Sequence, residues 1–538
     1  MAARKPLRTR DSRPTEPVLD IQEIQGNSLA GFNKDHQQLV VLRIQSVVAA
    51  RSWLRRILPA INTLAEVGHF NATFRIQRVR LGRDPDGMIA TWANIAFSYP
   101  ALSLLTSKAE ADGVPDSSFR DGLAARSSIL GDPPPHGSTD PTAEWVVGKD
   151  ATAPDVLLVV ASDDPDQLRN RMERMLPIAT DGAQPPAVVW QETGDTRPDL
   201  PGHEHFGFRD AVSQPGIRGR NSARPGDFLT PRLLNSSPLP DMEFSAPGQP
   251  LVWPGQFVFG YPSTDGQSGS TGGPVASPPL NPAWLKNGSL LVFRRLKQDV
   301  ARFNQFLWNQ ATALATNAAF AGLTAGQLGA MIVGRWPSGA PLLRSPLTDD
   351  VDLGNDPLAR NDFLLTVNTP PPDLKRGHAL SGVYPSATAD ALGFMCPHAA
   401  HIRKVNPRDQ DSDKGDQFDT LTRRIIRRGI PFGPPITDPM VDDGVDRGLH
   451  FLCYQTSIIN QFELLQTDWA NSTANPQAGG FDLVIGQNAG QPRAMELSRS
   501  TGTVDITAPA QFVIPTGGGY YFAPSISALR DVLARSTV

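Results

Sequence analysis

The run MCPHAAHIRKVNPR, Met395 to Arg408, sets two histidines one helical turn apart, with a cysteine before them and basic side chains close behind. His398 and His401 are spaced i, i+3, so on a helix their imidazoles share a face, and neutral imidazole is the commonest protein metal ligand. One chemistry open to them is a zinc site completed by Cys396 or a distant carboxylate, with His203 and His205 as further donors for a hydrolase. Another is a single axial histidine on the iron of a large acidic cofactor such as haem, the arginines holding its carboxylates. A third is a plain helix start whose histidines are solvated or hydrogen-bonded.

Two further stretches place charge in apolar company. In GHEHFGFRDAVSQPGIRG, Gly202 to Gly219, Asp210 lies among Phe206, Phe208 and glycines. Partial desolvation there raises a carboxyl toward acid–base use, whereas a simple turn cap uses the same residue for backbone N–H groups. In RRIIRRGIPFGP, Arg423 to Pro434, Ile425 and Ile426 separate two arginine pairs. A strand period of two sends one of Arg427 and Arg428 inward, where a permanent cation needs an anion, and the other toward solvent.

The elements that must hold these groups are readable in outline. At 538 residues the chain exceeds one ordinary core, which predicts two or more compact units or one duplicated unit. A hydrophobic content of 40% with 19% charged residues is that of a globular protein, and 50 Pro with 47 Gly demand many irregular connections. The net charge of -4 gives no global attraction for nucleic acid or anionic lipid. No run approaches the roughly 18 apolar residues of a membrane helix, and the basic, polar N-terminus lacks the apolar centre of a secretory signal. These features predict no nucleic-acid or membrane partner and a cytoplasmic location. Two cysteines, Cys396 and Cys453, are too few for a disulfide framework.

Strand-like runs followed by amphipathic stretches occur four times: after Leu39–Ile44, Asp155–Ser162, Ser289–Leu296 and Leu449–Gln455. Two such pairs in each half predict an internal duplication, with Met88–Ser98 a further strand able to pair antiparallel in the first half. Split β-α-β units of this kind build ferredoxin-like domains. The predicted fold is therefore α+β: a duplicated ferredoxin-like fold of two antiparallel sheets with flanking helices. Its divisions are an extended or disordered 1–20, an N-terminal half over 21–224, a Pro/Gly-rich connection over 225–282 and a C-terminal half over 283–538. The connection is expected to contain one short strand, PGQFVFGY, Pro254 to Tyr261. The acidic run Asp409–Asp419 lacks the closing glutamate of a calcium loop and reads as a solvated turn.

In this order along the chain, GFRDAVSQP, CPHAAHIRKVNPR and RRGIPFGP closely resemble the motifs of the dye-decolorizing peroxidases, in particular the larger members. GNSLAGFNKDHQQLVVLRI, GLHFLCYQ and FDLVIGQ fit the same family. The resemblance implies a peroxidase with one haem b per chain, seated in the C-terminal half. Its partners would be hydrogen peroxide and aromatic reductants such as dyes and phenolics, oxidised in one-electron steps by a monomer or homodimer. It assigns the proximal iron ligand to His401, leaving His398 a bystander, the distal acid–base group to Asp210 and the distal arginine to Arg427. Arg428 then points away or meets the haem rim. Asp482, with Glu463 the weaker alternative, is the expected acidic partner of His401. Phe451 and Leu449 line the distal face, and Arg403 or Arg408 binds a propionate. The family's Gly-x-x-Asp-Gly motif ends here in Ala211, a departure that bears on the backbone of the distal loop. Bulky donors imply electron relay through surface aromatics, for which Tyr520, Tyr521, Trp253 and Trp469 have the right chemistry. The rival readings are a haem-binding or storage module without turnover and the zinc hydrolase.

Overall fold

A computed structural model describes residues 15–178, 184–232, 243–267, 269–370 and 384–536. Most of the expected N-terminal tail, residues 1–14, and residues 233–242 and 268 of the connection lie outside them. The first half runs β1 (His36–Arg43), α1 (Val47–Ile57), α2 (Leu64–Leu81), β2 (Thr91–Phe97), β3 (Val156–Ser162), α3 (Pro165–Met175) and β4 (Ala187–Asp195). The second runs β5 (Ser289–Gln298), α4 (Val300–Leu314), α5 (Ala325–Val333), α6 (His401–Lys404), β6 (Ile426–Arg427), β7 (Ile430–Phe432), β8 (Gly448–Gln455) and β9 (Val513–Ala523). Wide helical turns, Ile458–Glu463 and Leu465–Ala470, follow β8.

Across the first sheet the order is β2-β3-β1-β4, and across the second it is β6/β7-β8-β5-β9, every pair antiparallel. This is the ferredoxin-like order twice over. The two sheets join edge to edge through a single registered pair, Phe97 with Phe522. At the far edges β4 meets β7, where a Cβ on Gly194 would stand 2.6 Å from Ile430 Cγ2 and 2.8 Å from the Pro431 carbonyl. A side chain is excluded at that seam, and the strands close into a barrel.

The strand sequences follow from having two covered faces. All seven residues of β3, VLLVVAS, are buried, as a strand must be when one face looks into a barrel and the other beneath helices. Leu157, Val159 and Ala161 share the barrel interior with Phe293, Leu452 and Tyr454. Leu158 and Val160 point outward to Trp53 of α1 and Met172 of α3. The helices start where their caps dictate: Ser46 Oγ accepts from Ala49 N, and Asp164 accepts from Gln167 N just ahead of Pro165.

A third core belongs to the long segment between β5 and β6. There α4 and α5 pack Phe303, Leu307 and Leu328 against Trp336, Phe363 and Ala400. This layer holds His401 against the second sheet. The expected strand at Pro254–Tyr261 does not form. Pro254–Gln256 is a tight helical turn, because Pro254 has no N–H to give and Gly255 packs onto the Tyr261 and Pro262 carbonyls. Among the described residues, the strands of the connection are Phe244–Ala246, Gln249–Val252, Ser263–Thr264 and Pro274–Val275. Cys396 and Cys453 are buried and unpaired. Among the described residues no helix is long and apolar enough to cross a membrane.

Two glycines test the closure of the barrel. Gly194→Ala is expected to lower the unfolding free energy by about 1–3 kcal/mol through overpacking. Gly68→Ala, within α2 and with nothing inside 4 Å of the added carbon, should raise it by about 0.5–1 kcal/mol. Equal effects in denaturant unfolding would contradict the assigned seam.

Candidate active site

Between the outer face of the second sheet and the layer built on α4 and α5 lies a cavity of about 290 Å³, walled in part by Val333, Ile402, Val405, Leu449, Phe451 and Phe462. Strand periodicity decides who reaches it. Leu449 and Phe451 of β8 line it, as do Arg294, Leu296 and Gln298 of β5, while Leu452 belongs to the barrel interior.

His401 opens α6 and lines the same cavity. Its Nδ1 lies 2.8 Å from Asp482 Oδ2. Asp482 is fully buried, and its other oxygen accepts from Val484 N and Ile485 N. A carboxylate fixed in this way takes the Nδ1 proton as a hydrogen bond and leaves Nε2 as a bare lone pair. Glu463 stands elsewhere, bound to Arg126, Ser118 and Tyr520. The other histidines of the zinc reading are engaged with backbone. His398 sets its ring nitrogens at 3.0 Å from Ala478 O and 2.9 Å from Ala391 O. His203 faces the Pro201 and Pro337 carbonyls, and His205 Nε2 faces Phe432 O at 2.8 Å.

Asp210 and Arg427 come from different halves and meet here. Arg427 Nη1 donates to Asp210 Oδ1 at 3.1 Å and Nη2 to Ser213 O at 3.0 Å. The Gln214 amide clamps loop to strand, donating to Arg427 O and accepting from Arg427 N. Asp210 Oδ1 also accepts from Ala211 N at 2.6 Å, so the remaining bonding capacity of the carboxylate lies on Oδ2. Ala211 holds φ +54°, a left-handed conformation that glycine adopts without steric cost and alanine does not. Arg428 does not face solvent. It is partly buried, donating to Asn27 O, Leu29 O and Arg427 O. Alternation does put it on the opposite face from Arg427, but that face is covered by the first half.

The remaining charges of the cavity are mostly cationic. Arg335 donates to the Gly339 and Arg360 carbonyls and to Asn361 Oδ1, and Arg408 to the Asn361 and Phe363 carbonyls. Burial pushes Arg408 down to about 10, and burial together with Arg408 and Arg427 pushes Arg424 down to about 9. Arg403 is turned away from the cavity, contrary to expectation. Its five N–H bonds go to Gln410 Oε1 and to the Asp390, Ala391 and Cys396 carbonyls, which leaves none for an anion. Glu204 is a further acid of the cavity. It accepts from Phe206 N, Phe208 N and Gln298 Nε2, and burial pushes its carboxyl up to about 7.

Local sequence gave little notice of Glu204, Arg335 or Arg424. Only Arg424, in the RRIIRR run, carried a signal, since it stands two residues before the buried Ile426 and shares its strand parity. Tyr520, Tyr521, Trp253 and Trp469 are 2%, 0%, 1% and 0% exposed, so none is a surface aromatic. What the cavity accepts is a flat apolar body with an electron-pair acceptor toward His401 Nε2 and anionic groups toward the arginines. Haem has that chemistry, and these residues fit it.

Comparison with known proteins gives the same answer along the chain. The family model described as "DyP dimeric alpha+beta barrel domain" matches residues 23–198, and "Dyp-type peroxidase, C-terminal" matches 349–478. "Peroxidase 2" of Mycetinis scorodonius is 31% identical, covering 96% of this chain and 88% of its own length. "Multifunctional dye peroxidase DyP2" of Amycolatopsis sp. is 26% identical over 96% of this chain and 97% of its own length. Among solved structures, an ancestral D-type dye decolorizing peroxidase superposes with a TM-score of 0.72 at 32% identity, covering 96% of this chain and all (100%) of its own. A dye-decolorizing peroxidase from Pleurotus ostreatus gives 0.72 at 29% identity, with 96% of this chain and 100% of that one covered. Motifs, barrel and similarity therefore agree over nearly the whole length: the chain belongs to the dye-decolorizing peroxidase family, whose cofactor is haem.

Proposed function

We propose that the chain is a haem b peroxidase, one haem per chain, that reduces hydrogen peroxide and oxidises dyes, phenolics or similar aromatic donors. The observation that carries this reading is a histidine with a bare Nε2, oriented by Asp482, in one cavity with the Asp210–Arg427 pair. His401 would hold the iron through Nε2, Arg335, Arg408 and Arg424 would answer the propionates, and Leu449 and Phe451 would lie against the ring. When bound, the haem would supply the redox chemistry: two electrons pass to peroxide, and aromatic donors would restore them one at a time.

The rest is the work of side chains. Asp210 takes the proton from one peroxide oxygen on Oδ2 and delivers it to the other, so that water can leave. Arg427 fixes positive charge beside the oxygen that becomes negative, a contribution of about 3–4 kcal/mol for a well-placed donor. Its bond to Ser213 O and the Gln214 clamp keep it there without reorganisation. Asp482 holds the Nδ1 proton and so keeps the His401 ring oriented and electron-rich. A storage module has no use for a distal acid–arginine pair of this kind.

Glu204 adds a pH dependence. Raised from 4.5 to about 7 in the folded protein, chiefly by burial, it keeps a proton that the unfolded chain has already released. Its contribution to stability is therefore complete below pH 4.5 and is lost as pH rises through about 7.

Three outcomes are expected. His401→Ala, purified and supplemented with haem, should lack the Soret band of the native protein; a native-like band would remove His401 from its role. In stopped flow, Asp210→Asn and Arg427→Leu should each slow the reaction of the haem protein with peroxide by about 10²–10³-fold, and unchanged rates in both would refute the distal assignment. Between pH 4.5 and 7.5 the native protein should lose stability relative to Glu204→Gln, by at most about 3 kcal/mol, and parallel melting curves would exclude the shift.

A further inference from the structure

The cavity has a second polar corner that the peroxide chemistry does not use. Asp132 and Arg294 form an ion pair there, Nη2 to Oδ2 at 2.7 Å, with side chains 1% and 4% exposed respectively. Among the described residues, Asp132 Oδ1 and Arg294 Nε of the pair have no hydrogen-bond partner, and neither has Gln487 Oε1, whose residue packs against Gly131, next to Asp132 in the chain. All three residues line the cavity. The Gln487 amide is oriented by its nitrogen, which donates to Val513 O at 3.0 Å and to Ile485 O at 3.3 Å, so its oxygen is the free acceptor. Burial pushes the Asp132 carboxyl up against the pull of Arg294. Buried polar atoms are nearly always satisfied, and three orphans in one corner mark a place completed by a bound group.

The corner is separate from the peroxide pole. Arg294 on β5 pairs with Phe451 on β8, and β8 in turn pairs with Arg427 on β6 through Cys453. Two inter-strand spacings, about 10 Å, therefore divide Arg294 from the strand of Arg427. Apolar Leu296, Phe451, Ile485, Val513 and Pro515 line the cavity alongside it.

The unmet groups specify their ligand. Two acceptors and one N–H call for a group with two donors and an accepting oxygen. The ion pair is compensated and buried, so a net charge added beside it is left without a counter-charge; the corner suits a neutral group, and the apolar walls suit a flat ring. A phenol satisfies Asp132 Oδ1 and Arg294 Nε, and a vicinal diphenol also reaches Gln487 Oε1 with its second hydroxyl. Water has the same donor count and is the other source of such hydroxyls.

We propose that the Asp132–Arg294–Gln487 corner is a hydroxyl-binding subsite for phenolic donors, filled most completely by 1,2-diphenols. This rests on the proposed haem peroxidase reading and adds to it that small aromatic donors enter the haem cavity, whereas bulky ones do not. The test is equilibrium binding of 1,2-dihydroxybenzene and of its dimethyl ether to the peroxide-free holoenzyme, by titration calorimetry and by perturbation of the Soret band. The diphenol is expected to bind at least tenfold more tightly than the ether. Asp132→Asn and Gln487→Leu should each bring the two within about twofold, and Gln487→Leu keeps the ion pair if the first variant fails to fold. Equal binding of the two ligands by the native holoenzyme, or a tenfold preference surviving in a folded variant, would overturn the subsite. So would a crystal structure of the diphenol-soaked holoenzyme in which water still bridges the three atoms. Because every measurement starts from protein with a Soret band, these failures are distinct from failure of the haem reading.

Discussion

The cavity gathers more guanidinium groups than carboxylates, and this imbalance governs the rest of the site. Arg209, Arg294, Arg335, Arg408, Arg423, Arg424 and Arg427 line it against Asp132, Glu204 and Asp210. Taking an unpaired guanidinium out of water costs several kcal/mol, so the fold answers these charges wherever it has an oxygen to offer. Arg335 and Arg408 are held by backbone carbonyls and an amide, Arg427 by Asp210 and Ser213 O, and Arg294 by Asp132. Arg424 bears this cost too, through burial first and then through the neighbouring Arg408 and Arg427. A ligand carrying negative charge on an apolar body relieves what the protein cannot. Anything that binds only the folded chain also stabilises it, so cofactor binding and folding are linked here by charge.

The barrel turns this imbalance into geometry. Each half alone offers one member of the peroxide-handling pair, Asp210 from the first and Arg427 from the second. Their separation depends on how loop and strand are joined, and that junction is dense: the Gln214 amide bonds both ways to the Arg427 backbone, and Arg428 crosses to Asn27 O and Leu29 O. The same strand thus uses one face for chemistry and the other for holding the halves in register.

Much of this was legible in the sequence where a pattern is local. The run VLLVVAS reads as a strand because both of its faces are covered, and the repeated strand–helix order reads as a duplication because it is nearly independent of tertiary detail. The motif residues His401, Asp210 and Arg427 stand in runs where charge interrupts apolar or glycine-rich sequence. What failed depended on contacts distant in sequence. Alternation separates Arg427 from Arg428 correctly, yet nothing in RRGIPFGP says that the second face meets another half rather than water. Arg403 and Arg408 carry the same charge a few residues apart. Only the left-handed turn at Arg408, φ +57°, and the carbonyls gathered around Arg403 decide which one reaches the cavity. PGQFVFGY has the apolar content of a strand, but a proline and a close-packed glycine at its start turn the chain instead.

Ala211 carries a consequence for how this chain can change. Its φ of +54° costs an alanine about 1 kcal/mol that glycine does not bear. The loop stays in place because surrounding bonds outweigh that preference: Glu204 accepting from Phe206 N and Phe208 N on one side, Arg427 and Gln214 gripping the loop and strand on the other. Substitutions at those supporting positions are therefore epistatic with Ala211. A change that a chain with glycine at this position would absorb leaves a left-handed alanine here with fewer bonds to hold it, so the order in which mutations arrive matters as much as which ones arrive.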